Sequence, residues 1–265
     1  SEPSFIVLGE STIPSENIIN TIESDRVYIK SVSDNDILSN IDILSPNLNP
    51  FTIISPATFT GDVDVYPKLV WQSSSDSNES STGVKYDVYL ATNPTFSEDV
   101  TTIYENIVST PIVDPDLDSF FGPVIEFYPN IDLKAGTTYF WKVIANSGDD
   151  QITSLFDSFT PYGLFTTIFL SEDEDDPFSN RPMIDSEVAS SRTLIADNSP
   201  YWISQTPYTN SGTLFKIEEG TVLKFFDDVS LTINGEIKIE GTPSNPIELI
   251  AAGDSLWNGI IIQTL

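Results

Sequence analysis

The residues of this chain with chemical potential are mostly carboxylates, and they crowd at a few places. Five acids stand in a row at 172–176, and within them Asp173, Glu174, Asp175 and Asp176 are the candidate metal ligands. The cation that suits them is calcium, which takes six to eight oxygens from carboxylates, carbonyls and water. The run has neither the glycine nor the ligand spacing of an EF-hand loop. Its plainer reading is a solvated linker held open by its own repulsion. Asp76, Asn78 and Ser80 also place oxygens at alternate positions, in a polar loop whose plainer reading is a tip between strands. Lys216, Lys224 and Lys238 with Asp227, Asp228 and Asp254 are too scattered to converge on a reacting group, and charge alternation on an outer face accounts for them.

What the chain lacks narrows the chemistry further. It has no cysteine and no histidine. Disulfides, zinc–thiolate sites, cysteine nucleophiles and any Ser–His–Asp arrangement are therefore excluded, and so is the usual general base. No glycine loop of the phosphate-cradling kind is present. Formal charge is 11 − 40 = −29, so the surface repels nucleic acid phosphates and anionic lipid. It favours cations, basic partners or plain solubility. No run of about 18 apolar residues offers a membrane-spanning helix. Residue 1 is Ser rather than Met, which suggests a processed or trimmed chain.

The elements that would position side chains are strands. Residues 1–50 read as a small β-rich lead region, with "SFIVLG" and "RVYIKSV" as strands and "SENIINTIES" as a short helix. Residues 51–168 carry short alternating runs between turn residues: 66–72, 83–92, 101–107, 124–133, 136–147 and 158–167. Such spacing predicts a β-sandwich. The insert 108–123 is longer than a tight connection and predicts a protruding loop. On or near it, Phe120, Phe121 and Tyr128 are the candidate ligand contacts, because sugar faces stack on exposed aromatic rings. Residues 169–185 read as an acidic linker stiffened by proline.

Residues 186–265 read as a cap and the first coils of a repeat. Apolar pairs two apart recur as Phe215/Ile217, Leu223/Phe225, Leu231/Ile233, Ile237/Ile239, Ile247/Leu249 and Ile260/Ile262. Phe215 to Ile237 is 22 residues, Leu223 to Ile247 is 24, and Ile237 to Ile260 is 23. A recurrence of that size, built from three short strands, is what a parallel β-helix requires. Glycines at 220, 235, 241 and 259 fall at the corners, where tight turns call for φ freedom. Residues 213–265 make just over two coils, and solenoids generally stack three or more, so coils beyond Leu265 are expected.

Two stretches resemble known families. "YPKLVWQSSSD", "VKYDVYLAT" and "LKAGTTYFWKVIA" resemble a fibronectin type III domain of the bacterial secreted kind. The resemblance implies Trp71 in the core, and a corner of Leu133, Gly136, Thr137 and Tyr139 before the sixth strand. "TLFKIEEGTVLKF", "SLTINGEIKIEGTPSNPIELI" and "WNGI" resemble the opening coils of right-handed parallel β-helix proteins secreted by bacteria, with "YWIS" as the strand leading into the first coil. The resulting expectation is an all-β, exported, non-catalytic surface protein: a fibronectin type III-like β-sandwich plus the start of a right-handed parallel β-helix. It would be adhesin-like or a scaffold, contacting a surface protein complex or glycan, with calcium as its conceivable cofactor. The alternatives are the front of an extracellular polysaccharide-degrading enzyme and an accessory subunit of an outer-membrane complex.

Overall fold

The long strands Lys85–Ala91 and Thr138–Ser147 carry buried apolar residues at alternate positions, and those residues join a single core. In a computed structural model, residues 48–76, 83–113, 121–148, 150–156, 160–171, 181–253 and 256–263 are described, all within one unit. Residues 1–47 of the lead region, Phe120, the acidic run at 172–176, Asn78, Ser80 and Asp254 lie outside the described residues.

Nine strands build two facing sheets: β1 (Ile53–Ser55), β2 (Thr60–Val63), β3 (Leu69–Gln72), β4 (Lys85–Ala91), β5 (Thr101–Ile107), β6 (Val124–Phe127), β7 (Thr138–Ser147), β8 (Asp150–Thr153) and β9 (Gly163–Thr167). One sheet runs β1-β3-β6 and the other β2-β9-β7-β4-β5, with β8 as a hairpin partner of β7. All six strands expected here form, while β1, β2 and β8 were not anticipated. Trp71, Ile125, Val88, Trp141 and Phe165 meet between the sheets with no exposure. Period-two patterning explains the pairing, because each inward residue of one strand faces an inward residue of the next. At the corner before β7, Gly136 takes φ +63°, and the Tyr139 hydroxyl accepts the Lys134 N–H at 3.0 Å.

The second half is a β-solenoid. Its strands are β10 (Met183–Ile184), β11 (Glu187–Val188), β12 (Arg192–Leu194), β13 (Tyr201–Ile203), β14 (Tyr208–Thr209), β15 (Leu214–Ile217), β16 (Val222–Phe225), β17 (Ser230–Ile233), β18 (Glu236–Ile239), β19 (Glu248–Ala251) and β20 (Gly259–Ile262). They stack as three parallel sheets, β10-β13-β16-β19, β11-β14-β17-β20 and β12-β15-β18. Three coils are complete, and β19 and β20 begin a fourth. Residues in register pile into ladders such as Leu194–Ile217–Ile239 and Tyr201–Leu223–Leu249.

Several details differ from the expected repeat. The coils start at Met183, within the expected linker, and "YWIS" belongs to the second coil rather than leading into the first. Phe215 does pair with Ile237, 22 residues on. Leu223 pairs with Leu249, not Ile247, and Ile260 pairs with Leu231, not Ile237. The two longer steps arise because the corners at 240–247 and 252–258 carry extra turn residues, which lengthen a coil without disturbing its strands.

Candidate functional site

Among the described residues, the most heavily buried charges lie where the sandwich meets the first coil. Arg192 occupies an inward ladder position, directly above Phe215 and Ile237. An arginine there needs a counter-charge, since a lone buried cation carries a large desolvation cost. Asp132, from the loop between β6 and β7, supplies it. Arg192 Nε and Nη2 each donate to one carboxylate oxygen at 2.8 Å. The pair is almost sealed from solvent, with side-chain exposures of 5% and 0%. Burial pushes the Asp132 carboxyl up and the guanidinium draws it back. The fork-on-fork geometry is that of an ionised pair. Burial works against the Arg192 charge too, but the Asp132 carboxylate outweighs it and holds the guanidinium protonated.

Around this pair the backbone of the sandwich is sewn to the solenoid. Asp132 N–H donates to Thr193 O at 2.9 Å. Asn198 Nδ2 donates to Leu133 O at 2.8 Å, and its Oδ1 accepts the Ala135 N–H at 2.9 Å. Val65 is fully buried within the solenoid core, and Ala135 and Ile168 pack against it. The sandwich thus caps the first coil. Tyr128, a candidate ligand contact, stacks on Tyr66 with ring centroids 5.1 Å apart, and the Tyr66 ring lies 4.5 Å from the Arg192 guanidinium. Tyr128 is therefore half-buried against the junction, and Phe121 is half-buried as well. Phe120 is outside the described residues, so the expected trio is not seen together.

The carboxylates singled out in the sequence serve other ends or stay apart. Asp76 is buried and accepts the Ser147 hydroxyl at 2.6 Å, tying the end of β7 to the chain before β4. Lys216 and Lys238 join Glu218 and Glu240 in an exposed ladder across β15 and β18. Hydrogen bonds from both lysines hold the Glu240 carboxyl below its ordinary range. Lys224 lies with its Nζ 5.4 Å from the Trp202 ring. Among the described residues, no group of three or more acids could hold a metal ion, and no helix is long and apolar enough to cross a membrane.

The feature best suited to meet a ligand was missed in the sequence. It lies on the outer face of the larger sheet. Ile103, Tyr89 and Lys142 are register partners on β5, β4 and β7 and form one outward row. Lys142 Nζ sits 5.0 Å from the Tyr89 ring centroid and 4.6 Å from that of Phe96. Tyr162 closes the group, its ring edge-on to Phe96 at 6.1 Å and to Phe140 at 5.7 Å. All five of Tyr89, Phe96, Phe140, Lys142 and Tyr162 are half-buried. Phe96 is held at φ +52°, a region costly for a bulky residue. An Asx-type turn enforces it: Asn93 Oδ1 accepts from Thr95 N–H and its Nδ2 donates to Ser97 Oγ. Burial lowers the Lys142 pKa from its ordinary value. The sequence signal was available, as Asp87/Tyr89 and Phe140/Lys142 alternate with buried neighbours. It was overlooked because aromatic residues in a strand read first as core.

Two shallow grooves flank the sandwich. One, of about 320 Å³, runs between β5 and the loop bearing Asp132 and Leu133. Tyr104 lines it, with its hydroxyl buried and, among the described residues, without a hydrogen-bond partner. Comparison with protein-family models, with curated proteins and with solved structures returns no match for this chain.

Proposed function

We propose that this chain is a non-catalytic, exported surface protein of adhesin-like or scaffold type. In it a fibronectin type III-like sandwich caps a right-handed parallel β-helix and carries it as one body. The junction is the observation that supports this most. The bidentate buried ion pair Asp132–Arg192 joins the two halves. The strand orders β1-β3-β6 and β9-β7-β4-β5 correspond to the A-B-E and G-F-C-C′ sheets of the type III sandwich. The buried Trp71 and the Tyr139 corner favour the same family. Surface proteolysis of intact cells of the source organism tests the reading. Release of the protein by added protease is expected, and recovery only from the lysed interior would overturn it.

A further inference from the structure

We propose that the Tyr89–Phe96–Lys142–Tyr162 row is a glycan-binding site for a sugar ring that carries a carboxylate. This deepens the reading above and rests on its glycan-contact arm. Three features of the row point to that chemistry. First, the ammonium of Lys142 has rings on two sides and, among the described residues, no ion pair to an acid. An ammonium has three donors to place, and rings satisfy only part of that demand. A carboxylate would complete it with a charge-assisted hydrogen bond. Second, Tyr89 and Lys142 lie in mid-sheet, where β4 and β7 are already paired on both sides, with Phe96 and Tyr162 on the connections beside them. No strand edge is free there to take a peptide backbone, so side chains alone meet the ligand. Flat rings beside a cation suit a pyranose face with an attached anion better than an extended peptide. Third, the strain at Phe96 is paid locally by the Asn93 turn, and its effect is to hold one ring against the ammonium.

The row is also long enough. From β5 across β4 and β7 to Tyr162 it crosses three strand spacings, about 14 Å, which seats more than one sugar ring. The protein's overall negative charge repels any anion at long range, whereas the Lys142 contact acts at short range. Moderate salt screens the first more than the second, because the Debye length falls from about 30 Å at 0.01 M to about 8 Å at 0.15 M. Binding should therefore strengthen on going from very low salt to physiological salt.

The test is calorimetric titration of the full chain with β-1,4-linked glucuronic acid oligomers. The matched control is the cello-oligosaccharide of the same length, which differs only by CH₂OH in place of each carboxylate. The glucuronate oligomer is expected to bind, and the cello-oligomer at least tenfold more weakly. Lys142→Met, which keeps an apolar stem under the rings, should lose at least fivefold in affinity, and Lys142→Arg should retain most of it. Unchanged thermal melting of both variants shows that the fold is intact. Equal binding of the two oligomers, or a Lys142→Met variant that binds as the parent does, would overturn the proposal. Binding of an acidic peptide through Lys142 with no sugar bound would overturn the ligand class. No binding of either oligomer at millimolar concentration would end this inference and leave the scaffold reading standing, since that is tested by surface proteolysis.

Discussion

Replacing Arg192 by Met removes one partner of the buried pair while leaving a side chain of similar length above Phe215. Asp132 then stays in a site with no solvent access and loses both of its 2.8 Å donors. Removing one partner of a buried ion pair costs about 3–5 kcal/mol, mostly because the remaining charge is uncompensated. For a unit of roughly 200 residues that lowers the melting temperature by about 6–20 °C. The deficit should depend on pH. Without Arg192, desolvation leaves the folded-state pKa of Asp132 above its unfolded value. The penalty is then full at neutral pH and shrinks as pH falls through the raised value and the carboxyl takes up a proton. The double variant Asp132→Leu with Arg192→Met removes both charges and should recover much of the loss, with a coupling of about 2–3 kcal/mol. Chemical denaturation of the parent, both single variants and the double variant gives the cycle. A coupling below about 0.5 kcal/mol, or an Arg192→Met variant as stable as the parent at pH 7, would refute the reasoning.

Three further outcomes follow from packing and titration. Ile217→Ala should cost about 2–5 kcal/mol because the site is fully buried, while Ile239→Ala, one coil later and half exposed, should cost under about 1.5 kcal/mol; equal losses on denaturation would contradict the stacking order. Gly235→Ala should cost about 2–3 kcal/mol, because an added Cβ would stand 2.2 Å from Thr213 O and 2.8 Å from Asn210 O; an unshifted melt would mean that this corner is not as tight as described. The Tyr104 hydroxyl is pushed up to about 12 by burial, above the ordinary value near 10, so its contribution to stability is complete below about pH 10 and is lost as pH rises toward 12. Ultraviolet titration of the parent against Tyr104→Phe should remove a late-titrating tyrosine, and loss of an early one would contradict the burial.

The sandwich strands were legible because their inward residues alternate with polar ones, as in Tyr86, Val88 and Leu90 along β4. The short β1 and β2 were not, since three or four residues with Pro56 and Gly61 nearby carry little periodicity. In the solenoid, the Phe215–Ile237 step could be read from spacing, but Leu223–Leu249 could not. A coil tolerates extra corner residues, so the period drifts while the ladder holds. The corner glycines divide in the same way. Gly220 and Gly259 take positive φ as expected, whereas Gly235 is required by the close approach of the Thr213 carbonyl, which no local signal announces. Arg192 was the hardest to see. A charged residue at a core position looks like a break in the pattern until Asp132, 60 residues earlier, is placed beside it. The acidic stretch at 172–176 stands out in the sequence by its charge alone, while Lys142 draws its character from burial and from rings contributed by β4 and the turn after it.

The most direct test of the account is the distance between its two halves. The chain has no cysteine, so cysteines introduced at the exposed positions Lys85 on β4 and Glu236 on β18 can carry unique spin labels. Pulsed electron paramagnetic resonance on the full chain should give a single narrow distance distribution, and Arg192→Met should broaden it. A broad or multiple distribution in the parent would mean that sandwich and solenoid swing independently, and the capped, rigid body on which the proposed function rests would be contradicted.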